Sequence, residues 1–156
     1  MVDQIENVTV EIDAKGMEVD LVSKHIVGPI HVTVGNCFFP EKEWSDFAAL
    51  ILVAWTSETL KLISDPEHVA ECHFQDGPYW FELEYASPGK WRFVACERSR
   101  DTPRHEMIET IVSASTMIAQ LSAALDKLLA SCKKLNWGTP DAAALSDSIN
   151  SLSSDR

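Results

Sequence analysis

Apolar and polar residues alternate in two short stretches near the start of the chain, which is the pattern of strands with one buried face. The stretches cover residues 8–13 and 17–21, and Gly16 is available for the turn between them. They are therefore predicted to form a β-hairpin. A third strand is predicted over residues 30–34, which follow Gly28 and Pro29.

After Pro40 the apolar residues change to a helical spacing. They include Trp44, Phe47 and Trp55, which predicts one buried helix that begins near Pro40 and carries both tryptophans in the core. The helix is expected to end at Asp65, because the residue before a proline avoids the α-helical region.

Alternation returns in the middle of the chain. Apolar and polar side chains alternate in residues 70–75 and, apart from Trp80, in residues 79–85, whereas residues 91–96 are mainly apolar. Turn sequences rich in Gly and Pro separate the three stretches. These stretches predict three antiparallel strands joined by short turns.

The last long pattern is helical and covers residues 103–136. One helix of that length would extend about 50 Å at 1.5 Å per residue, nearly twice the width of a small domain. Two alternatives follow: a break near residues 113–115, or a projecting end that packs on a second copy of the chain. Residues 139–156 are rich in serine and are predicted to be a weak helix or a disordered tail.

The predicted element order is βββαβββα, in a single domain over residues 1–138. The simplest packing is an α+β two-layer sandwich, with a mainly antiparallel sheet and two long helices on one of its faces. The other face of the sheet then meets solvent or a partner.

Charge narrows the classes of function. The chain of 156 residues has a formal net charge of −11. Residues 1–84 contain 16 acidic and 4 basic residues, whereas residues 85–156 contain 8 and 9. This balance argues against nucleic-acid binding, which needs clustered Lys and Arg.

The most apolar run, residues 47–55, is too short to span a membrane. The N-terminus lacks the pattern of a secretory signal, so we expect a cytoplasmic protein.

The residues typical of catalysis and metal binding are scattered. The four cysteines form no CxxC pair, and the five histidines show no HxH or HExxH spacing. We therefore predict no metal, no cofactor and no enzymatic activity. A small-ligand site or an enzyme around His73, Asp76 and Tyr79 is the third alternative for function.

Alternation places polar side chains on the sheet face away from the helices. Seven carboxylates and Trp80 share that face if the strands are neighbours. One interpretation is a solvated face that prevents association between sheet edges. The other is a docking surface for a basic partner, in which carboxylates steer association and Trp80 is an anchor. The predicted partner-binding residues are Glu18, Asp20, Glu71, His73, Trp80, Glu82 and Glu84.

Two stretches resemble small bacterial immunity-type proteins encoded beside polymorphic or contact-delivered toxins. One is residues 39–47, continuing to Trp55, and the other is residues 74–79. The resemblance covers about forty residues, includes no catalytic motif and assigns no functional residue. It implies that the chain inhibits a cognate toxin by tight binding.

The leading hypothesis is an immunity protein that neutralises a toxin domain, possibly a nuclease, through an acidic surface. Toxins that hold phosphate are basic, so an acidic inhibitor gains both association rate and specificity against them. The alternative is a homo-oligomeric scaffold without a toxin partner, in which the long C-terminal helix pairs with its copy in a homodimer.

Overall fold

The computed structural model describes residues 4–137 and 139–154, which contain nine strands and three α-helices. The strands are β1 (Val8–Ile12), β2 (Glu18–Val19), β3 (Ile26–Val34), β4 (Cys37–Phe39), β5 (Ser45–Asp46), β6 (Ala70–His73), β7 (Tyr79–Ser87), β8 (Lys90–Glu97) and β9 (His105–Ser113). The helices are α1 (Ala48–Ser64), α2 (Ala114–Lys134) and α3 (Pro140–Ser154). The α+β class predicted from the sequence is confirmed.

The strands form two antiparallel sheets. In the five-stranded sheet β3 is central and pairs with β1, β2, β4 and β5. The four-stranded sheet has the order β6-β7-β8-β9. The two sheets meet where Ile5 forms a bridge with Ile111 and the Glu6 amide donates to the Ile111 carbonyl over 2.8 Å.

One core joins both sheets and the helices. Fully buried side chains include Ile30 from the first sheet, Phe81 from the second, and Trp55, Leu121 and Leu145 from the three helices. We call the face of each sheet that points away from this core its outer face.

The predicted N-terminal hairpin is wrong in its pairing. β1 and β2 both pair with β3 and not with each other. The predicted second strand is also shorter, because residues 20–23 form a turn in which Leu21 is 83% exposed rather than buried. Alternation within a strand identifies its buried face, but it carries no information about which strand lies alongside.

The predicted start of the first helix is also wrong, although its end at Asp65 is confirmed. α1 begins at Ala48, so Trp44 is not part of it. The segment before the helix instead pairs with β3: the Ile30 amide donates to the Trp44 carbonyl over 2.7 Å, and Asp46 lies opposite Gly28. These long-range backbone hydrogen bonds satisfy the groups that a longer helix would have used.

The long pattern over residues 103–136 combines a strand and a helix. Its first part is β9, which pairs with β8 along its length, and the helix begins only at Ala114. Ser113 caps α2, because its Oγ accepts from the Thr116 amide over 3.2 Å. The change from strand to helix therefore falls within residues 113–115, where one of the two alternatives placed a break. The apolar stripe of α2 is buried in the core against β1, β9 and α3, so the reason for inferring a second copy disappears.

The serine-rich segment after residue 138 contains helix α3. Leu145 and Leu152 are fully buried in the common core. The first turn is attached to β3 by Asp141, which accepts from the Ile26 amide over 2.7 Å and contacts His25 Nδ1 at 2.9 Å. These contacts make α3 part of the same packed unit. None of the helices in the described residues is both long and apolar enough to cross a bilayer.

Candidate partner-binding surfaces

The structure separates the residues that the sequence predicted to share one face. Five of the seven, from Glu71 to Glu84, lie on the four-stranded sheet, whereas Glu18 and Asp20 belong to the β2 region of the other sheet. The carboxylates of Glu11 and Asp13 are also outside the four-stranded sheet. The grouping of seven carboxylates on one face is therefore wrong, because it assumed that all these strands are neighbours.

Trp80 lies on the outer face of the four-stranded sheet, as alternation predicted, but its ring is covered. The residue is only 5% exposed. His73 stacks on the indole at a centroid distance of 5.8 Å, and the Arg98 guanidinium lies 5.3 Å from the ring centroid. The indole Nε1 donates to Glu82 over 2.9 Å. A partner would have to displace these side chains before it could use Trp80 as an anchor.

Two arginines neutralise most of the acidic side chains around Trp80. Arg104 donates from both terminal nitrogens to the Glu82 carboxylate. Arg92 donates to Glu84 over 3.1 Å and to Glu109 over 3.1 Å. Burial alone would raise the pKa of Glu82, but the hydrogen bonds from Arg104 and Trp80 outweigh it and lower that pKa. These carboxylates are therefore largely satisfied within the chain.

Replacement of Glu82 by glutamine is expected to remove part of the acid sensitivity of the fold. Because folding lowers the pKa of Glu82, its contribution to stability is present above its ordinary value near 4.5 and disappears as the pH falls through the lower folded value. The Glu82→Gln variant should lose about 1–2 kcal/mol at pH 7 and show a flatter decline below pH 5. Urea unfolding at pH 3.5 to 7 measures this difference. Glu67→Gln, at an exposed carboxylate, is the control, and an equal decline in both variants would contradict the assignment.

Residues 39–47 and residues 74–79 come together in space. Phe39 from the first contacts Phe74 and Tyr79 from the second, each at a centroid distance of 5.8 Å, and Trp44 meets Tyr79 at 5.4 Å. Gly77 turns at φ +77°, where a Cβ atom would lie 3.2 Å from the Trp44 ring. The tight turn thus depends on glycine for both its backbone conformation and its close contact.

Asp46 holds these two stretches together. Its carboxylate is buried and accepts from the Trp44 indole over 2.9 Å, the Asp76 amide over 3.0 Å and the Phe47 amide over 2.7 Å. The Trp44 indole belongs to residues 39–47 and the Asp76 amide to residues 74–79, so Asp46 joins the two stretches at what we call the junction. Asp46 was not identified from the sequence, because the predicted first helix includes residues 40–47 and the donors to Asp46 lie on two separate segments of the chain.

A group of carboxylates surrounds this junction at the surface. We call Glu41, Glu43, Asp76 and Glu97 the acidic edge; none of them forms an ion pair with a residue in the described part of the chain. Two of them, Glu97 and Glu41, act on Tyr79, whose side chain also hydrogen-bonds with Glu97. Burial raises the pKa of Tyr79, and the negative charges of Glu97 and Glu41 raise it further. The acidic edge is therefore a site of uncompensated negative charge.

The residues proposed for a ligand site or an enzyme do not share one pocket. His73 and Tyr79 belong to opposite faces, because His73 pairs across the strands with Trp80, the neighbour of Tyr79. The Asp76 amide donates a hydrogen bond to the Asp46 carboxylate. Among residues 4–137 and 139–154, no three His, Cys, Asp or Glu side chains are arranged to hold a metal ion.

The thiols differ sharply in accessibility. Cys37 is exposed, whereas Cys72, Cys96 and Cys132 are buried. Burial raises the pKa of Cys96 to about 11 and also raises the pKa values of the other two buried thiols. Since the thiolate is the reactive form, these three should react slowly.

Iodoacetamide at pH 8 is therefore expected to alkylate only Cys37 in the native protein and all four cysteines in urea. Mass spectrometry of the intact chain and of its peptides identifies the modified thiols. The Cys37→Ser variant should remain unmodified under native conditions. Rapid native modification of Cys96 would show that the outer face around Trp80 is open.

Comparison of the chain with protein-family models, curated proteins and solved structures finds no match.

Proposed function

We propose that the chain is an immunity-type protein that binds a basic cognate toxin domain and neutralises it by occluding or distorting its active site. The observation that carries the proposal is the acidic edge, where Glu41, Glu43, Asp76 and Glu97 lie without ion-pair partners among the described residues. It lies at the junction of the two stretches that resemble immunity-type proteins. A cytoplasmic location is part of the same proposal.

We assign the first contact to the acidic edge rather than to the surface around Trp80. The carboxylates near Trp80 already accept hydrogen bonds from Arg92 and Arg104, so a basic partner would have to compete with those arginines. The carboxylates of the acidic edge offer free charge at the surface. Uncompensated charge of one sign accelerates association with an oppositely charged partner and excludes like-charged ones.

Co-expression with a toxin-like open reading frame beside its gene tests the proposal. Cells that produce both proteins should survive, and the two chains should co-purify as a complex. Equally rapid death with and without this protein would refute the proposal.

The role of the acidic edge in that complex is tested by a matched pair of triple variants. Glu41→Gln, Asp76→Asn and Glu97→Gln together should slow association with the toxin about tenfold at low salt. The control variant carries Glu67→Gln, Asp126→Asn and Asp147→Asn, which change the net charge equally at other exposed positions. Equal association rates for the two triple variants in stopped-flow measurements would remove the acidic edge from the interface.

A further inference from the structure

We propose that the loop between β2 and β3 anchors a partner protein through two aliphatic side chains, Leu21 and Val22, which enter an apolar pocket of that partner. The identity of the partner as a basic toxin domain rests on the proposed function. We call the two side chains the aliphatic tip. Leu21 is 83% exposed and Val22 is 91% exposed, the highest values among the large hydrophobic residues in the described part of the chain.

The aliphatic tip does not serve the packing of the fold. Neither Leu21 nor Val22 belongs to the core or to the partly buried residues that pack against it. A single exposed aliphatic side chain is ordinary in a folded protein, but two neighbours at the end of a loop form a continuous apolar surface. Turns favour Gly, Asn, Asp and Ser, because these residues suit the turn backbone. The apolar character of this turn is therefore useful only to a partner that covers it.

Hydrogen bonds within the loop fix the position of the aliphatic tip. The Ser23 amide donates to the Asp20 carboxylate over 2.7 Å, and the Lys24 amide donates to the Asp20 carbonyl over 2.8 Å. The Asp20 amide donates to the His25 carbonyl over 2.9 Å, which closes the base of the loop. These backbone groups are thus paired before a partner arrives.

Helix α3 holds the base of the loop from outside. The buried Asp141 carboxylate lies 2.9 Å from His25 Nδ1 and accepts from the Ile26 amide over 2.7 Å. A loop that is already formed loses little conformational freedom when it binds, so burial of its apolar side chains contributes more of its free energy to affinity.

The charges around the aliphatic tip favour a basic protein over other surfaces that could cover it. Glu18 and Asp20 precede the tip, and only Lys24 follows it. Hydrogen bonds from Ser23 lower the pKa of Asp20, so its carboxylate is ionised at neutral pH. The net charge of −11 disfavours both a second copy of the chain and an anionic lipid surface. An apolar pocket with a basic rim matches both the tip and its flanking carboxylates.

One partner can cover both the aliphatic tip and the acidic edge. Strand β3 begins at Ile26, directly after the loop, and the Ile30 amide donates to the carbonyl of Trp44, the neighbour of Glu43 in the acidic edge. Four strand residues span about 13 Å. The base of the loop and the acidic edge therefore lie within the roughly 30 Å width of a standard interface. In this arrangement the acidic edge steers the partner and the aliphatic tip holds it once it is bound.

The test measures association and dissociation rates of the full chain with the purified toxin domain encoded beside its gene. Leu21→Ser together with Val22→Ser should raise the dissociation rate on the order of a hundredfold, about tenfold for each side chain, and leave the association rate within about twofold. The triple variant of the acidic edge should instead slow association. An unchanged dissociation rate in the serine variant would overturn the inference.

Two further variants make the result specific. Val69→Ser with Met107→Ser removes two exposed apolar side chains near the four-stranded sheet and should leave both rates unchanged. Leu21→Met with Val22→Ile keeps the apolar area of the tip and should retain affinity within about threefold. Equal weakening by the Val69 and Met107 pair, or a loss with Met and Ile as large as with serine, would overturn the inference. Equal urea midpoints show that the variants remain folded, as expected for exposed positions.

The two proposals fail separately. If the wild-type chain neither binds the toxin domain nor protects cells from it, the proposed function falls and this inference falls with it. If the wild-type chain protects and the serine variant dissociates at the same rate, only the aliphatic tip is excluded. A wild-type chain that sediments as a dimer, or with vesicles of phosphatidylcholine and phosphatidylglycerol, and no longer does so as the serine variant, would overturn the inference by showing another occupant.

Discussion

Replacement of Trp55 by alanine is expected to lower the free energy of unfolding by about 3–5 kcal/mol, the usual range for a large aromatic side chain removed from a core. Trp55 is fully buried in the middle of α1. Its ring meets Phe74 at 5.1 Å and Phe81 at 4.8 Å, and its Nε1 donates to the His73 carbonyl over 2.8 Å. The change therefore opens a cavity where the helix packs on the four-stranded sheet.

Urea unfolding followed by circular dichroism measures the loss. Trp55→Phe is the control, because it keeps an aromatic ring but deletes the donor to His73. We expect Trp55→Phe to lower the free energy of unfolding by less than Trp55→Ala does, because it leaves a smaller cavity. A loss below 1 kcal/mol for Trp55→Ala would contradict the packing of α1 against this sheet.

The second large effect is expected at Asp46, where alanine should cost about 2–4 kcal/mol. The replacement leaves the Trp44 indole and the Asp76 amide without their acceptor at a partly buried junction, and each unsatisfied donor is costly. It also releases the 74–79 turn from the segment that precedes α1. Chemical denaturation gives the magnitude, and the near-ultraviolet circular dichroism of Trp44 reports the local change.

Asp76→Asn is a matched control for Asp46→Ala. It removes a negative charge at the same junction but leaves the Asp76 amide, which is the group that Asp46 binds. We expect its stability to lie within about 0.5 kcal/mol of the parent, as for other surface replacements. Equal losses in the two variants would show that charge, rather than the buried hydrogen bonds, determines the stability here.

The strands of the central meander were predictable because local signals agree there. Alternation, Gly-Pro turns and short connections all indicate the same hairpins, and the structure confirms β6, β7 and β8. The end of α1 was predictable for a similar reason, since the proline after Asp65 restricts the backbone directly.

The first third of the long C-terminal pattern was not predictable from its periodicity. The apolar residues Ile108, Ile111 and Val112 fit a helix, but the segment is β9. A bulge opposite Ala95 and Cys96 shifts the register, so the strand does not show simple alternation. Pairing with β8 places Glu106 and Glu109 beside Arg92, and these long-range contacts outweigh local helix propensity.

On the candidate surfaces, too, local sequence signals were predictive and long-range contacts were not. Alternation correctly placed Trp80 on the outer face, but nothing in the local sequence indicates that Arg98 and His73 would cover it.

By itself, the sequence determined the α+β class, the buried faces of most strands and the concentration of negative charge in residues 1–84. These properties depend on side-chain chemistry and on neighbours within a few residues. Only the tertiary structure decided which carboxylates are paired with arginines and which remain free at the acidic edge. The reason is that ion pairing depends on distances of a few ångströms between strands, and strand order is set by the packing of the whole core.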